Sequence, residues 1–320
     1  MFRDIPLAQL RDYTGQVPSP EDFDEFWEAT LAESRAAAWA PRVAPAAASL
    51  ATLDVFDVEF AGFGGEPVRA WLRVPKGVQG PLPAVVAYAG YGGGRGLPME
   101  NLLWASAGFA HFQMDTRGQG SVWTPGDTPD SGVTGPSVPG FCTRGIDNRD
   151  TYYYRRLFTD AALAIDAARQ LPQVDPGRVG VYGGSQGGAM SLAAAALAPK
   201  DVRAVWASVP FLSDIRHAVE VTDALPYAEF TQYLACHRDL AEAVFQVIPY
   251  FDGVNMARRA KAPATLTVGL MDEVVPASTV FAAYNNYAAP KDLVVWEFNG
   301  HEAGGPFEEA MAVEFFRERL

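Results

Sequence analysis

From residue 84 onward the chain repeats one pattern: a short, unbroken apolar run, then a stretch of helical character, then another run. The runs cover residues 84–88, 112–114, 179–182, 205–209, 265–268 and 293–296. A strand with one covered face alternates apolar and polar residues, whereas an unbroken run suits a strand buried on both faces of a parallel sheet between helix layers. Residues 158–171, with Ala161, Ala162, Ile165 and Ala168 on one face, and residues 186–197 supply helices whose alanines permit close approach to the sheet. The expected architecture is therefore α/β, with a mostly parallel central sheet flanked by helices.

Upstream, Ser19-Pro20-Glu21-Asp22 has the chemistry of a helix start, and Phe23, Phe26, Trp27 and Leu31 recur at helical spacing, predicting a helix over 20–38. Residues 53–60 and 68–74 alternate around Gly62-Phe63-Gly64-Gly65, as an antiparallel hairpin would. Two segments break the later pattern. Residues 118–151 form a loop-rich insertion, and residues 210–259 are helical in composition and cap-like. With no repeat and no polar linker, the 320 residues read as a single domain with an N-terminal extension over about 1–80.

Apolar residues make up 49% and charged residues 20%, which is enough for a large core and argues against disorder. The 25 Lys and Arg against 38 Asp and Glu give a net charge of −13, so a nucleic-acid partner is not expected. The longest Ala-rich run, 189–198, is short of the ~20 apolar residues that a membrane span needs. The start, Met1-Phe2-Arg3-Asp4-Ile5-Pro6, lacks the cationic and apolar regions of a secretory signal, and a cytoplasmic location is expected. Cys142 and Cys236 are too few for a disulfide framework, and no spacing suggests a metal site.

Gly183-Gly184-Ser185-Gln186-Gly187 fits Gly-x-Ser-x-Gly between a predicted strand and a predicted helix, the setting of a nucleophile elbow. A serine hydroxyl needs a base within reach to act as a nucleophile. In α/β-hydrolases an acid and then a histidine follow, each after a strand, and Asp272 and His301 occupy those places. His111 precedes an apolar strand, while His217 and His237 lie upstream of the required acid, which leaves His301 to serve Ser185. Asp252 and Glu302 are the other acids that could hold that histidine. The Gln186 amide, opening the helix, is a candidate oxyanion donor, and a second is expected from the loop Ala89-Gly90-Tyr91-Gly92-Gly93-Gly94. That loop is not a phosphate cradle, since no Gly-Lys-Ser/Thr follows and Arg95 is a poor substitute.

Longer strings point further. Gly90-Tyr91, Asp115-Thr116-Arg117-Gly118-Gln119-Gly120-Ser121, Tyr152-Tyr153-Tyr154-Arg155-Arg156, Gly183-Gly184-Ser185-Gln186-Gly187-Gly188, Val268-Gly269-Leu270-Met271-Asp272 and His301-Glu302 occur in order. The chain resembles the acetyl xylan esterases and cephalosporin C deacetylases of carbohydrate esterase family 7, over essentially its whole length. The resemblance implies an α/β-hydrolase fold, with Ser185 as nucleophile, His301 as base and acid, Asp272 as its orienting partner, and the Tyr91 and Gln186 amides as oxyanion hole. It also implies no cofactor, small acetylated substrates and a ring-shaped homohexamer. Arg117 to Gly120 reads as structural, shaping the loop before the insertion. Ala89 stands where the family usually has histidine, which puts substrate preference in question more than mechanism. The rivals are a general short-chain carboxylesterase, a peptidase, or a non-catalytic binding protein on the same fold.

Overall fold

The computed structural model describes residues 4–320; Met1 to Arg3, part of the start read against a secretory signal, lie outside them. Among the described residues one sheet is built from nine strands: β1 (Arg42–Pro45), β2 (Leu53–Ala61), β3 (Pro67–Pro75), β4 (Leu82–Tyr88), β5 (Ala110–Met114), β6 (Val174–Gly184), β7 (Ala204–Ser208), β8 (Ala264–Gly269) and β9 (Lys291–Trp296). The helices are α1 (Leu7–Leu10), α2 (Phe23–Ala36), α3 (Leu103–Ser106), α4 (Tyr153–Ala168), α5 (Gln186–Leu197), α6 (Ile215–Val221), α7 (Ala228–Cys236), α8 (Ala241–Val247), α9 (Gly253–Ala257), α10 (Ala277–Asn286) and α11 (Pro306–Arg319). None is long and apolar enough to cross a membrane.

The strand order is β1-β2-β3-β5-β4-β6-β7-β8-β9. The six apolar runs become the six mutually parallel strands from β5 to β9, and the predicted hairpin becomes β2 and β3, joined antiparallel onto β5. Because β4 lies between β5 and β6, the connections leaving β4 and those leaving β6 diverge, opening a crevice at the carboxyl ends of the strands. Side chains alternate across the sheet. Ala84, Val86 and Tyr88 of β4, with Ala110, Phe112 and Met114 of β5, join the large core that includes α2, α4 and α5. Val85 faces the other way, into a smaller cluster with Trp104 of α3, Trp206 of β7 and Phe315 and Phe316 of α11.

The differences from the sequence reading have local causes. The first long helix starts at Phe23 rather than Pro20, with Asp22 at its N-cap, while the Pro20 carbonyl accepts from the Phe23 amide in a preceding turn. The fourth helix begins at Tyr153, ahead of the expected 158: Tyr152, Tyr153 and Tyr154 are buried, and packing overrides the weak helical preference of three consecutive aromatics. β9, read as buried on both faces, is the sheet edge and stays half exposed. β1, exposed along its length, carried no apolar signal. His111 does not precede β5 but lies within it.

Arg117, just beyond β5, binds the sheet to its surroundings. Its Nε and Nη2 donate to the two oxygens of Asp160 on α4 at 2.5 and 2.9 Å, and its Nη1 donates to Glu66 in the β2–β3 turn. Asp130, in the irregular 118–151 segment, accepts two hydrogen bonds of 2.8 Å from Arg156 on α4 and one of 3.1 Å from Arg144. Burial alone would raise the Asp130 carboxyl, but the Arg156 hydrogen bonds and charge, helped by Arg117, outweigh it and hold the pKa at about 2. A depressed carboxyl stabilises the fold above its unfolded pKa of ~3.9 and loses that contribution as pH falls towards the folded value, a contribution of about 2 kcal/mol. Urea denaturation between pH 4 and pH 2 should show this decline, and Asp130→Asn should be less stable at pH 7 with a flatter acid limb; an acid limb unchanged by the substitution would refute the linkage.

Candidate active site

Ser185 sits between β6 and α5 with φ 56° and ψ −120°, a conformation that costs a non-glycine residue about 1–3 kcal/mol. The turn is tight: a Cβ on Gly183 would lie 2.4 Å from the Gly187 carbonyl, and one on Gly187 would lie 2.3 Å from the Tyr88 oxygen. The glycines two residues either side of the serine are thus required by backbone contact. The Ser185 amide donates to Ser208 O at 2.9 Å and its carbonyl accepts from Phe211 N at 3.0 Å, which pins the turn to the end of β7.

Asp272 and His301 leave the carboxyl ends of β8 and β9. His301 Nδ1 lies 2.8 Å from Asp272 Oδ2, while Asp272 Oδ1 accepts from Val274 N at 2.8 Å and Val275 N at 2.9 Å. The aspartate side chain is fully buried and the histidine ring about one-third exposed, so a fixed carboxylate holds an accessible ring. An aspartate acceptor on Nδ1 requires a proton there and leaves Nε2 as the free base. The competing acids are committed elsewhere: Glu302 accepts from Asn299 and the Gly300 amide, and Asp252 from the amides of Asp214, Ile215 and Val254. Beyond His301, Glu308 in the first turn of α11 accepts from both the Trp206 and the Trp296 indoles. His217 contacts Ser278, and His237 lies against Tyr233.

The loop after β4 is fastened from three sides. Gln119 Oε1 accepts from the Gly92 amide at 2.6 Å, and Gln119 Nε2 donates to Gln186 Oε1 at 2.9 Å and to the Tyr153 hydroxyl at 3.0 Å. The Arg117–Gly120 motif, expected only to shape a loop, therefore joins both segments expected to carry oxyanion donors. The Tyr91 hydroxyl donates to Glu229 Oε1 at 2.5 Å and accepts from Phe141 N at 2.9 Å, and Glu229 Oε2 accepts from Cys142 N at 3.0 Å. Burial, with Cys142 and Glu229 adding, pushes the Tyr91 phenol well up and keeps it protonated as that donor. Glu229, on α7, escaped the sequence reading because no motif surrounds it. Arg95 is occupied in ion pairs with Asp57 and Asp127, which removes it as a phosphate ligand.

Ser185 and His301 border one cavity of about 400 Å³, together with Ala89, Gly90, Trp104 and Trp123. Gly90 packs against the serine, its Cβ position 3.9 Å from Ser185 Cβ. Tyr91 packs behind this loop, its ring against Phe141 and Phe211. Among the described residues no cluster of His, Cys, Asp and Glu has the makeup of a metal site, and Cys142 and Cys236 are free.

A mostly parallel sheet carrying a serine on a left-handed strand–helix turn, with a histidine–aspartate pair on later loops, defines an α/β-hydrolase. The acetyl xylan esterase (AXE1) family model matches residues 1–319, and the chain belongs to that family. It is 31% identical over 296 residues to the acetyl esterase Axe7A of Xylanibacter ruminicola, covering 91% of this chain and 65% of that relative's length. Among solved structures, the acetyl xylan esterase from Paenibacillus sp. R4 superposes with a TM-score of 0.90 at 38% identity, covering 99% of this chain and all of that one. Acetyl xylan esterase 1 from Thermoanaerobacterium sp. JW/SL YS485 gives 0.89 at 39% identity, covering 98% and 99%.

The fastening of the loop is testable. Loss of an oxyanion donor costs ~100–1000-fold in kcat, and loss of a residue that only positions one should cost less, about tenfold. Gln119→Leu and Glu229→Gln should each lower kcat on p-nitrophenyl acetate by that order with a smaller change in KM; a change confined to KM would show that neither residue positions the donors.

Proposed function

We propose that this chain is a serine esterase that removes acetyl groups from acetylated xylo-oligosaccharides, other acetylated sugars and cephalosporin C-like small molecules through an acyl-enzyme. The observation that carries this reading is that His301, held by Asp272, borders the same cavity as the strained Ser185. In the first half-reaction the Ser185 Oγ attacks the acetyl carbonyl carbon while His301 Nε2 takes the hydroxyl proton. The resulting oxyanion is held by the Tyr91 and Gln186 amides; the Gln186 amide opens α5 and has no helical acceptor of its own. Collapse breaks the bond to the alcohol oxygen, which leaves with the proton from His301. Water then repeats the sequence on the acetyl-serine and releases acetate.

Family membership and the two acetyl xylan esterase structures support the acetyl and sugar parts of this reading. Membership of the acetyl xylan esterase family also supports a preference for short acyl groups. A general short-chain carboxylesterase or a peptidase would use the same three side chains, and acyl length separates them. Ser185→Ala should abolish hydrolysis of p-nitrophenyl acetate with the fold intact, and acetyl esters should be cleaved clearly faster than butyryl. Asp272→Asn should lose most activity by removing the carboxylate that orients His301. Faster cleavage of octanoyl esters, or cleavage of a peptide anilide, would favour the rivals.

A cytoplasmic homohexamer with its sites facing an inner cavity completes the proposal. The long irregular 118–151 segment supports it, because little of that segment packs as a layer of its own. Light scattering should give six times the chain mass, with acetylated oligosaccharides preferred to polymeric xylan. A monomer with the same preference would exclude the ring as its cause.

A further inference from the structure

The acetyl-transfer chemistry leaves the floor of the cavity without a role. On the sheet face turned away from α4 and α5, one row places Arg73, His111 and Val85 side by side across β3, β5 and β4, and the next row places Trp71, Gln113, Ala87 and Tyr182. Ala87 and Ala89 are small, and the cavity extends past them from Ser185 to His111 and Gln113. Such sheet positions under a helix layer ordinarily carry apolar residues, and buried polar groups are costly unless they are hydrogen-bonded.

These two are not well satisfied. His111 is fully buried, yet neither ring nitrogen has a hydrogen-bond partner among the described residues; the Asn101 carbonyl and the Gln113 side chain approach the ring without closing a bond. The Gln113 amide nitrogen reaches only the Ala87 and Met114 carbonyls, both at 3.4 Å. Burial, with the neighbouring Arg73 guanidinium, holds His111 well below the ordinary histidine range, so the ring is neutral and offers one N–H donor and one lone pair. That pairing suits a hydroxyl, which donates and accepts. A carboxylate in the cavity would instead meet Glu302 and Glu309 on its wall, whereas the Arg73 guanidinium beside His111 does not line it.

We propose that His111 and Gln113 form a hydroxyl-reading subsite for the alcohol half of the ester, selecting an uncharged, polyhydroxylated leaving group such as a sugar ring. The proposal rests on the esterase reading for the identity of that half, but binding of the free sugar does not require turnover. A cavity of about 400 Å³ lies within the ~300–1000 Å³ usual for small-molecule sites.

The test uses xylobiose as the probe, titrated against the full chain carrying Ser185→Ala and read by the fluorescence of Trp104 and Trp123, which border the cavity. Saturable binding is expected, weakened about tenfold by adding Gln113→Met or His111→Phe, because a site built for a hydroxyl penalises loss of its partner. His111→Gln, which keeps a donor and an acceptor, should retain most of the affinity. In the chain with Ser185 intact, the same apolar substitutions should lower the ratio of kcat/KM for monoacetylated xylobiose over ethyl acetate by about tenfold. Should His111→Phe fail to fold, Gln113→Met carries the test alone. Xylobiose binding that neither substitution changes, or an unaltered ratio, would overturn the subsite. Hydrolysis persisting in Ser185→Ala would overturn the serine mechanism while the sugar titration still reported on the floor.

Discussion

Everything at the site depends on one backbone strain, the left-handed conformation of Ser185. A non-glycine residue stays there only where its surroundings over-determine it. Here the surroundings are the two flanking glycines, which let β6 and α5 meet at backbone distance, and the hydrogen bonds that hold the turn to the end of β7. The serine is lifted out of the sheet and α5 begins immediately behind it. That same turn forces the loop after β4 to pass close by, with Gly90 against the serine.

Around this fixed point, the other parts are brought in by buried polar side chains rather than by apolar packing. Gln119 joins the β4 loop to the start of α5, Glu229 joins that loop to the irregular segment and to α7, and Asp272 spends one oxygen on its own loop and the other on the histidine. Each of these carboxylates and amides is nearly fully engaged, and engaged polar groups are directional in a way that apolar contacts are not. The sheet supplies position, and this network supplies orientation.

The parallel sheet was legible because six strands buried on both faces leave unbroken apolar runs, and the serine, aspartate and histidine because each stands after one of those runs. Legibility failed where a residue's partner is distant in sequence. Glu229 meets Tyr91 across 138 residues and no local pattern marks either end. Gln119 was visible within a motif, but its reach to Gly92 and Gln186 depends on how three loops converge. The sequence alone places His111 beside an apolar strand, whereas the alternation of that strand turns it and Gln113 towards the cavity. Edges were also hidden: β1 has no buried side chain to leave a signal.

The strand order carries one more consequence. β4 lies between β5 and β6, and the groups lining the cavity come from segments that span most of the chain, from Ala87 to Glu309. Contacts between such distant segments demand closure of long loops before they return any stabilisation, and chains rich in them fold slowly. The helices can form early from local contacts, whereas the cavity exists only when the last strands have docked. Competence to bind at this site is thus a property of the finished sheet, gained at the end of folding and among the first to go when the edge strand β9 frays.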